Sequence, residues 1–229
     1  MLSNLLKPAS FDLVAIFANL KTEWYFYLVL IGIFAIIFSL VYFIKPQEKI
    51  NLKKTTKLAF IAMLSALCVI ANIYSFGSQD IKFSFVSLVC FVAGFILGPI
   101  GGFAVGFIGD LIAGLIFPFG VYNPIIALGS SLFGCIPGVI FGYFKGNNFI
   151  KTIISYLICY FICSVILNST ATYLMYFLGS TKYSTLFAYL AVRVPPTLIT
   201  QLINLAISLL LVPALNRIKE MLVKNSNNN

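Results

Sequence analysis

Two ionisable side chains stand inside long apolar runs: Asp110 and, near the start of the last run, Arg193. A carboxylate at the middle of a bilayer costs about 2.5–3.5 kcal/mol on insertion scales, so such a group faces a cavity or a partner. Asp110 belongs to a row spaced by four, Gly102, Gly106, Asp110 and Gly114, which puts all four on one helix stripe. Glycines at that spacing let a neighbouring backbone come close, so the stripe is expected to face other helices rather than lipid. Two roles stay open for the carboxylate: a structural ion pair or hydrogen bond to an Asn or Ser on a neighbour, or an anchor for a ligand. Arg193 precedes Pro195-Pro196, which removes two backbone donors and is expected to kink or restart the last helix. Its side chain either snorkels to the headgroups or forks a ligand carboxylate.

The rest of the inventory narrows the chemistry. The chain has no His, which excludes histidine triads, HExxH zinc sites and imidazole relays. A lone Asp with no second carboxylate, Cys or His beside it makes no acid–base pair, so no enzyme is expected, nor any metal or cofactor. Cys68, Cys90, Cys135, Cys159 and Cys163 all lie inside apolar runs without a CxxC pair, and are expected to be packing residues.

The elements that must position Asp110 and Arg193 are membrane spans. Of the 229 residues, 61% are apolar and 9% charged, far from the balance of a soluble domain. The net charge of +9 sits in short patches between apolar runs, which argues against nucleic acid as a partner. A crossing needs about 20 apolar residues. Cutting the chain at charges and turns predicts seven spans: Trp24–Ile44, Leu58–Tyr74, Phe83–Leu97, Gly101–Phe117, Pro124–Phe144, Thr152–Leu178 and Tyr189–Pro213. The reading is an all-α integral membrane protein with a six-helix core and one extra N-terminal helix. Its divisions are 1–45 for the N-terminal segment, 46–57 for a basic linker, 58–220 for the core and 221–229 for a disordered polar tail. Ten basic residues, at 45, 49, 53, 54, 57, 145, 151, 217, 219 and 224, fall on one predicted side. The positive-inside rule then puts the amino terminus outside and the carboxyl terminus in the cytoplasm.

Other polar groups cluster toward the opposite side. The loop Phe117-Pro118-Phe119-Gly120-Val121-Tyr122-Asn123-Pro124 is rich in aromatics and prolines and suits a lid. Tyr122 and Asn123 in that loop, with Asn168 and Gln201 in the spans, complete the expected ligand-binding set around Asp110 and Arg193. Taken singly, the in-span amides read as interhelical glue worth under about 1–2 kcal/mol. A second ladder, Ser130, Gly134, Gly138 and Gly142, reads as tight packing.

Three features together resemble the substrate-binding subunits (S components) of energy-coupling factor (ECF) vitamin transporters. They are a basic stretch leading into Ala62-Met63-Leu64-Ser65-Ala66, the stretch AGFILGPIGGFAVGFIGDLIAGLIFPFGVYNP, and the segment SLFGCIPGVIFG. The folate-type members are the most similar, with a GP-x-x-G-x-x-x-G-x-x-x-D helix, an aromatic-Pro loop and a late Arg-x-Pro in this order. The resemblance covers residues 55 to 220. It implies a six-helix protein that captures a folate-like vitamin at its outer face. It also implies docking, through the small-residue face of Ala62 and Ala66, onto a transmembrane partner that works with two ATPase subunits. No GxxxxGK[ST] occurs, so any ATP-driven step belongs to partner chains. A pterin would suit Asp110, because an amino-pyrimidine edge donates two hydrogen bonds to one carboxylate while aromatic rings sandwich the heterocycle. Arg193 or Lys182 would meet the glutamate carboxylates. The alternatives are an S component for another vitamin or small heterocycle, and a self-sufficient proton-coupled carrier with Asp110 as its titrating group.

Overall fold

The computed structural model describes residues 54–77, 82–116, 123–177, 182–183 and 185–227, with isolated positions at 32, 35 and 39. The extra span expected over Trp24–Ile44 otherwise lies outside the described residues. Five helical stretches among the described residues are long and apolar enough to cross a membrane: Lys54–Ile73, Val86–Ile116, Pro124–Tyr143, Asn148–Leu174 and Leu186–Leu222. Large apolar side chains such as Leu58, Met63, Ile70, Leu202 and Leu210 are exposed on them. An exterior of this kind is stable only against lipid. The molecule is therefore an all-α multi-pass membrane protein.

Helix α1 is Lys54–Ile73, followed by a two-residue antiparallel pairing in which Phe76 faces Phe83 and Gly77 faces Lys82. Helix α2, Val86–Ile116, holds the two spans expected at 83–97 and 101–117 as arms of one 31-residue stretch broken at Gly98. Gly98 has φ 78° and ψ −174°, a conformation that a Cβ would oppose. Pro99 follows at the first position of the second arm, where its missing N–H leaves no bond unmade. The arms fold onto each other: a Cβ on Gly102 would lie 2.8 Å from the Gly94 Cα. Residues eight apart on a straight helix are separated by about 12 Å.

Helix α3, Pro124–Tyr143, packs into this fold. Both glycine ladders mate here. A Cβ on Gly134 would meet the Gly102 Cα at 2.9 Å, one on Gly106 the Ser131 Cα at 2.8 Å, and one on Gly138 the Pro99 Cα at 2.6 Å. Backbone therefore lies against backbone from Ser130 to Gly138, the close approach that small residues permit, while Gly142 has open space beside it. Beneath it Phe91, Phe95, Phe141 and Tyr156 form a buried aromatic core, with Phe95 and Phe141 ring centroids 4.6 Å apart.

Helix α4, Asn148–Cys159, runs without a break into a π-helical stretch, Tyr160–Asn168, and then into α5, Ser169–Tyr176. The wider repeat is visible where the Ser169 backbone N–H donates to the Ser164 carbonyl, five residues back, which the Ser169 hydroxyl also reaches at 2.7 Å. Helix α6, Leu186–Asn227, spans 42 residues. It departs from the expected restart at the prolines and from the expected tail. The chain stays helical through Pro195-Pro196, which leave the Ala191 and Val192 carbonyls without their i+4 N–H donors; beside them Thr197 Oγ1 donates to the Arg193 and Val194 carbonyls and the Tyr160 hydroxyl also donates to Val194, each at 3.0 Å. Neighbouring hydroxyls thus serve the carbonyls around the prolines. The helix also continues through Asn227, into the tail expected to be disordered from 221; no Gly or Pro stops propagation there. All five cysteines are buried free thiols, as packing residues should be.

Candidate functional site

Asp110 stands on the second arm of α2, where the mated glycine ladders end. It is half-buried, and its Oδ1 accepts from Asn72 Nδ2 at 3.1 Å and from Ser130 Oγ at 3.3 Å. The carboxylate thus ties the last turn of α1 to α2 and α3. This matches the structural alternative of an Asn or Ser partner and leaves the ligand role open. Asn72 was missed in the sequence; its signal was a lone amide in the last turn of an otherwise apolar span. It is itself braced, since the Ser75 hydroxyl donates to its carbonyl at 2.6 Å.

Beside Ser130, Gly129 lacks a side chain because the Asn168 amide fills that place: a Cβ there would lie 3.2 Å from Asn168 Cγ. The π-helical stretch ends at Asn168 and so sets the direction of this amide. Its Oδ1 is buried without a hydrogen-bond partner. On α6, the fully buried Asn204 donates through Nδ2 to Ser87 Oγ at 2.8 Å and to the Ser84 carbonyl at 2.9 Å. A carbonyl can only accept, which fixes the amide's orientation and leaves the Asn204 Oδ1 without a partner. Gln201 Oε1, one turn away on α6, is also buried and unpartnered. Ser87 and Asp110 lie about equally far along the two arms from Gly98, so both belong to one level of the bundle. An unmade buried hydrogen bond costs about 1–3 kcal/mol, so three acceptors of this kind suit a ligand carrying N–H or O–H donors.

Arg193 has other partners. It donates to the Tyr189 hydroxyl, and its guanidinium lies 5.6 Å from the Tyr189 ring centroid. Tyr189 is fully buried in an aromatic group with Tyr173, Phe177 and Tyr183, at centroid distances of 5.1–5.8 Å. Lys182 caps this group, its Nζ 5.6 Å from the Phe177 ring and 5.2 Å from that of Tyr183. The group was also missed, although Tyr173 and Phe177, and Tyr189 and Arg193, stand four apart and hence on shared helix faces. These rings pack tilted or edge to face against one another, so none of the four is held apart from the others as one face of an open sandwich.

The remaining expected residues divide. Asn123 is buried and caps α3, its Oδ1 accepting from the Ile125 amide at 2.9 Å. Tyr122 and the rest of the loop 117–122 lie outside the described residues. Ala62 and Ala66 are exposed on α1, with Ala59 and Met63 on the same open side.

Comparison with known proteins agrees with this architecture. A crystal structure of FolT bound with folic acid matches with a TM-score of 0.59 and 25% identity, covering 68% of this chain and 93% of that chain. No curated protein matches. The family model for the S component of ECF-type riboflavin transporters matches residues 49–217. That match takes in α1 to α5 and most of α6, and the chain belongs to this family of transporter S components.

Proposed function

We propose that the chain is the substrate-binding subunit of an ECF-type importer and takes a folate-like vitamin at the end of the bundle that carries Asp110. The observation behind this reading is the half-buried carboxylate held by Asn72 and Ser130 in a layer that also contains the unpartnered amide oxygens of Asn168, Gln201 and Asn204. The amino-pyrimidine edge of a pterin offers two donors to Asp110, and further ring N–H groups meet the amide oxygens. Lys182 and Arg193 turn from their aromatic partners to the glutamate carboxylates. FolT, which binds folic acid, supports the same reading.

The broken α2 counts as two crossings, which gives six over 54–227. The Asp110 end faces outward, and the Gly98 turn, with Lys54, Lys57, Lys145 and Lys151 near it, faces the cytoplasm. The exposed Ala62 and Ala66 face receives the transmembrane partner, and the two ATPase subunits supply the energy.

The family model's riboflavin members favour a second ligand, a flavin, whose pyrimidine-like edge offers a single ring N–H to a carboxylate. Equilibrium binding of folic acid and of riboflavin to purified protein separates the two. Folate binding that falls about 10- to 100-fold in Asp110→Asn is the expected result, as the loss of charge-assisted hydrogen bonds of about 1.5–3 kcal/mol requires. Tight riboflavin binding with no folate binding would overturn the folate assignment.

A further inference from the structure

The opposite end of the bundle carries a second arrangement, which the vitamin reading does not use. Lys151, in the first turn of α4, places its Nζ 5.7 Å from the Phe141 ring centroid. Lys219, near the end of α6, places its Nζ 5.8 Å from the Phe95 ring centroid. Those two rings pack edge to face at 4.6 Å, so ammonium groups from distant parts of the chain converge on one aromatic pair. Both lysines are half-buried, with their stems drawn over apolar surface and their charges at its edge. The two helices are pinned there by Asn148 Nδ2 donating to Asn216 Oδ1 at 2.7 Å.

Charge and polarity around this shelf match one class of partner. Lys145 and Arg217 add positive charge, and Glu220 is the one acid at this end among the described residues. Interleaved with the basic residues are exposed apolar side chains, Phe144, Phe149 and Ile150. A wholly polar acidic segment would meet the charges but not the apolar residues. A phospholipid meets both, its phosphate on the lysines and its acyl chains along the apolar side chains. We propose that Lys151 and Lys219, over the Phe95–Phe141 pair, form a binding site for the headgroup phosphate of an anionic phospholipid.

The test uses the full chain purified in micelles doped with equal amounts of phosphatidylglycerol or phosphatidylcholine, with retained lipid counted by native mass spectrometry. Retention of phosphatidylglycerol is expected to exceed that of phosphatidylcholine by about thirtyfold, the effect of two basic residues near an anionic headgroup. The double variant Lys151→Gln, Lys219→Gln should lose this preference. Lys151→Arg with Lys219→Arg should keep it, and so should the control pair Lys54→Gln, Lys57→Gln. Equal retention of the two lipids by the native chain would overturn the site, as would equal loss in the control pair. Displacement by millimolar inorganic phosphate would overturn it too, by making this a site for a soluble anion. An excess that depends on an added acidic protein partner would do the same.

Discussion

The two ends of the bundle are built on opposite plans. At the Gly98 turn, Gly102, Gly134 and Gly138 bring three helical segments into backbone contact, with no side chain between them. At the Asp110 level polar side chains meet instead: Asp110 accepts from Asn72 and Ser130, and Asn168, Gln201 and Asn204 on the neighbouring helices have acceptors left over. The difference shows a division of labour within single helices. Close-packed backbone at one end sets the positions of α2 and α3, so the other end can hold a carboxylate and buried amides without collapsing around them. Asp110 stands on the same stripe as Gly102 and Gly106, so its position follows directly from the packing of those glycines.

That contrast can be broken most severely at the packed end. Gly134→Val inserts atoms where the Gly102 backbone lies, and should destabilise by at least the upper part of the usual range of about 1–3 kcal/mol for overpacking. Thermal unfolding in detergent should show a large fall, and ligand affinity should fall with it. At the Asp110 end, stability and binding should separate. Ser130→Ala removes one donor to the carboxylate, worth about 1 kcal/mol, and should lower the unfolding temperature by only about 2–4 °C while weakening vitamin binding about fivefold through the less firmly held carboxylate. Asn204→Ala sharpens the comparison, because this residue joins the first arm of α2 to α6. It should lower stability by about 0.6–1.7 kcal/mol, the range found for interhelical hydrogen bonds in a membrane protein. The smallest effect is expected at the exposed face of α1. Ala66→Leu should leave unfolding temperature and vitamin affinity unchanged while reducing co-purification with the transmembrane partner.

Much of this plan was legible from residue types. The spans could be cut from apolar runs, with an interruption between Leu97 and Gly101 among the cuts, and the two ladders from spacing by four. Asp110 stood out because a charge in lipid demands a reason. What pairs with what was not legible. Nothing local to Asn72 says that it meets Asp110, 38 positions later in the chain, because that contact depends on how α1 crosses α2. The π-helical stretch from Tyr160 to Asn168 has no mark in its residue types, and the direction of the Asn168 amide depends on it. Pro195-Pro196 misled for a related reason: local rules predict a kink or a restart, and the helix does not restart there although the Ala191 and Val192 carbonyls lose their N–H donors.

The continuity of α6 through those prolines has a mechanical consequence. At about 1.5 Å per residue, its 42 residues make a rod of about 63 Å, twice the roughly 30 Å of hydrocarbon it passes through. Such a rod must lean or project beyond the bilayer. It carries Arg193 near one extremity and Lys219 near the other, so any tilt at the aromatic cluster is transmitted as a swing of the basic tip.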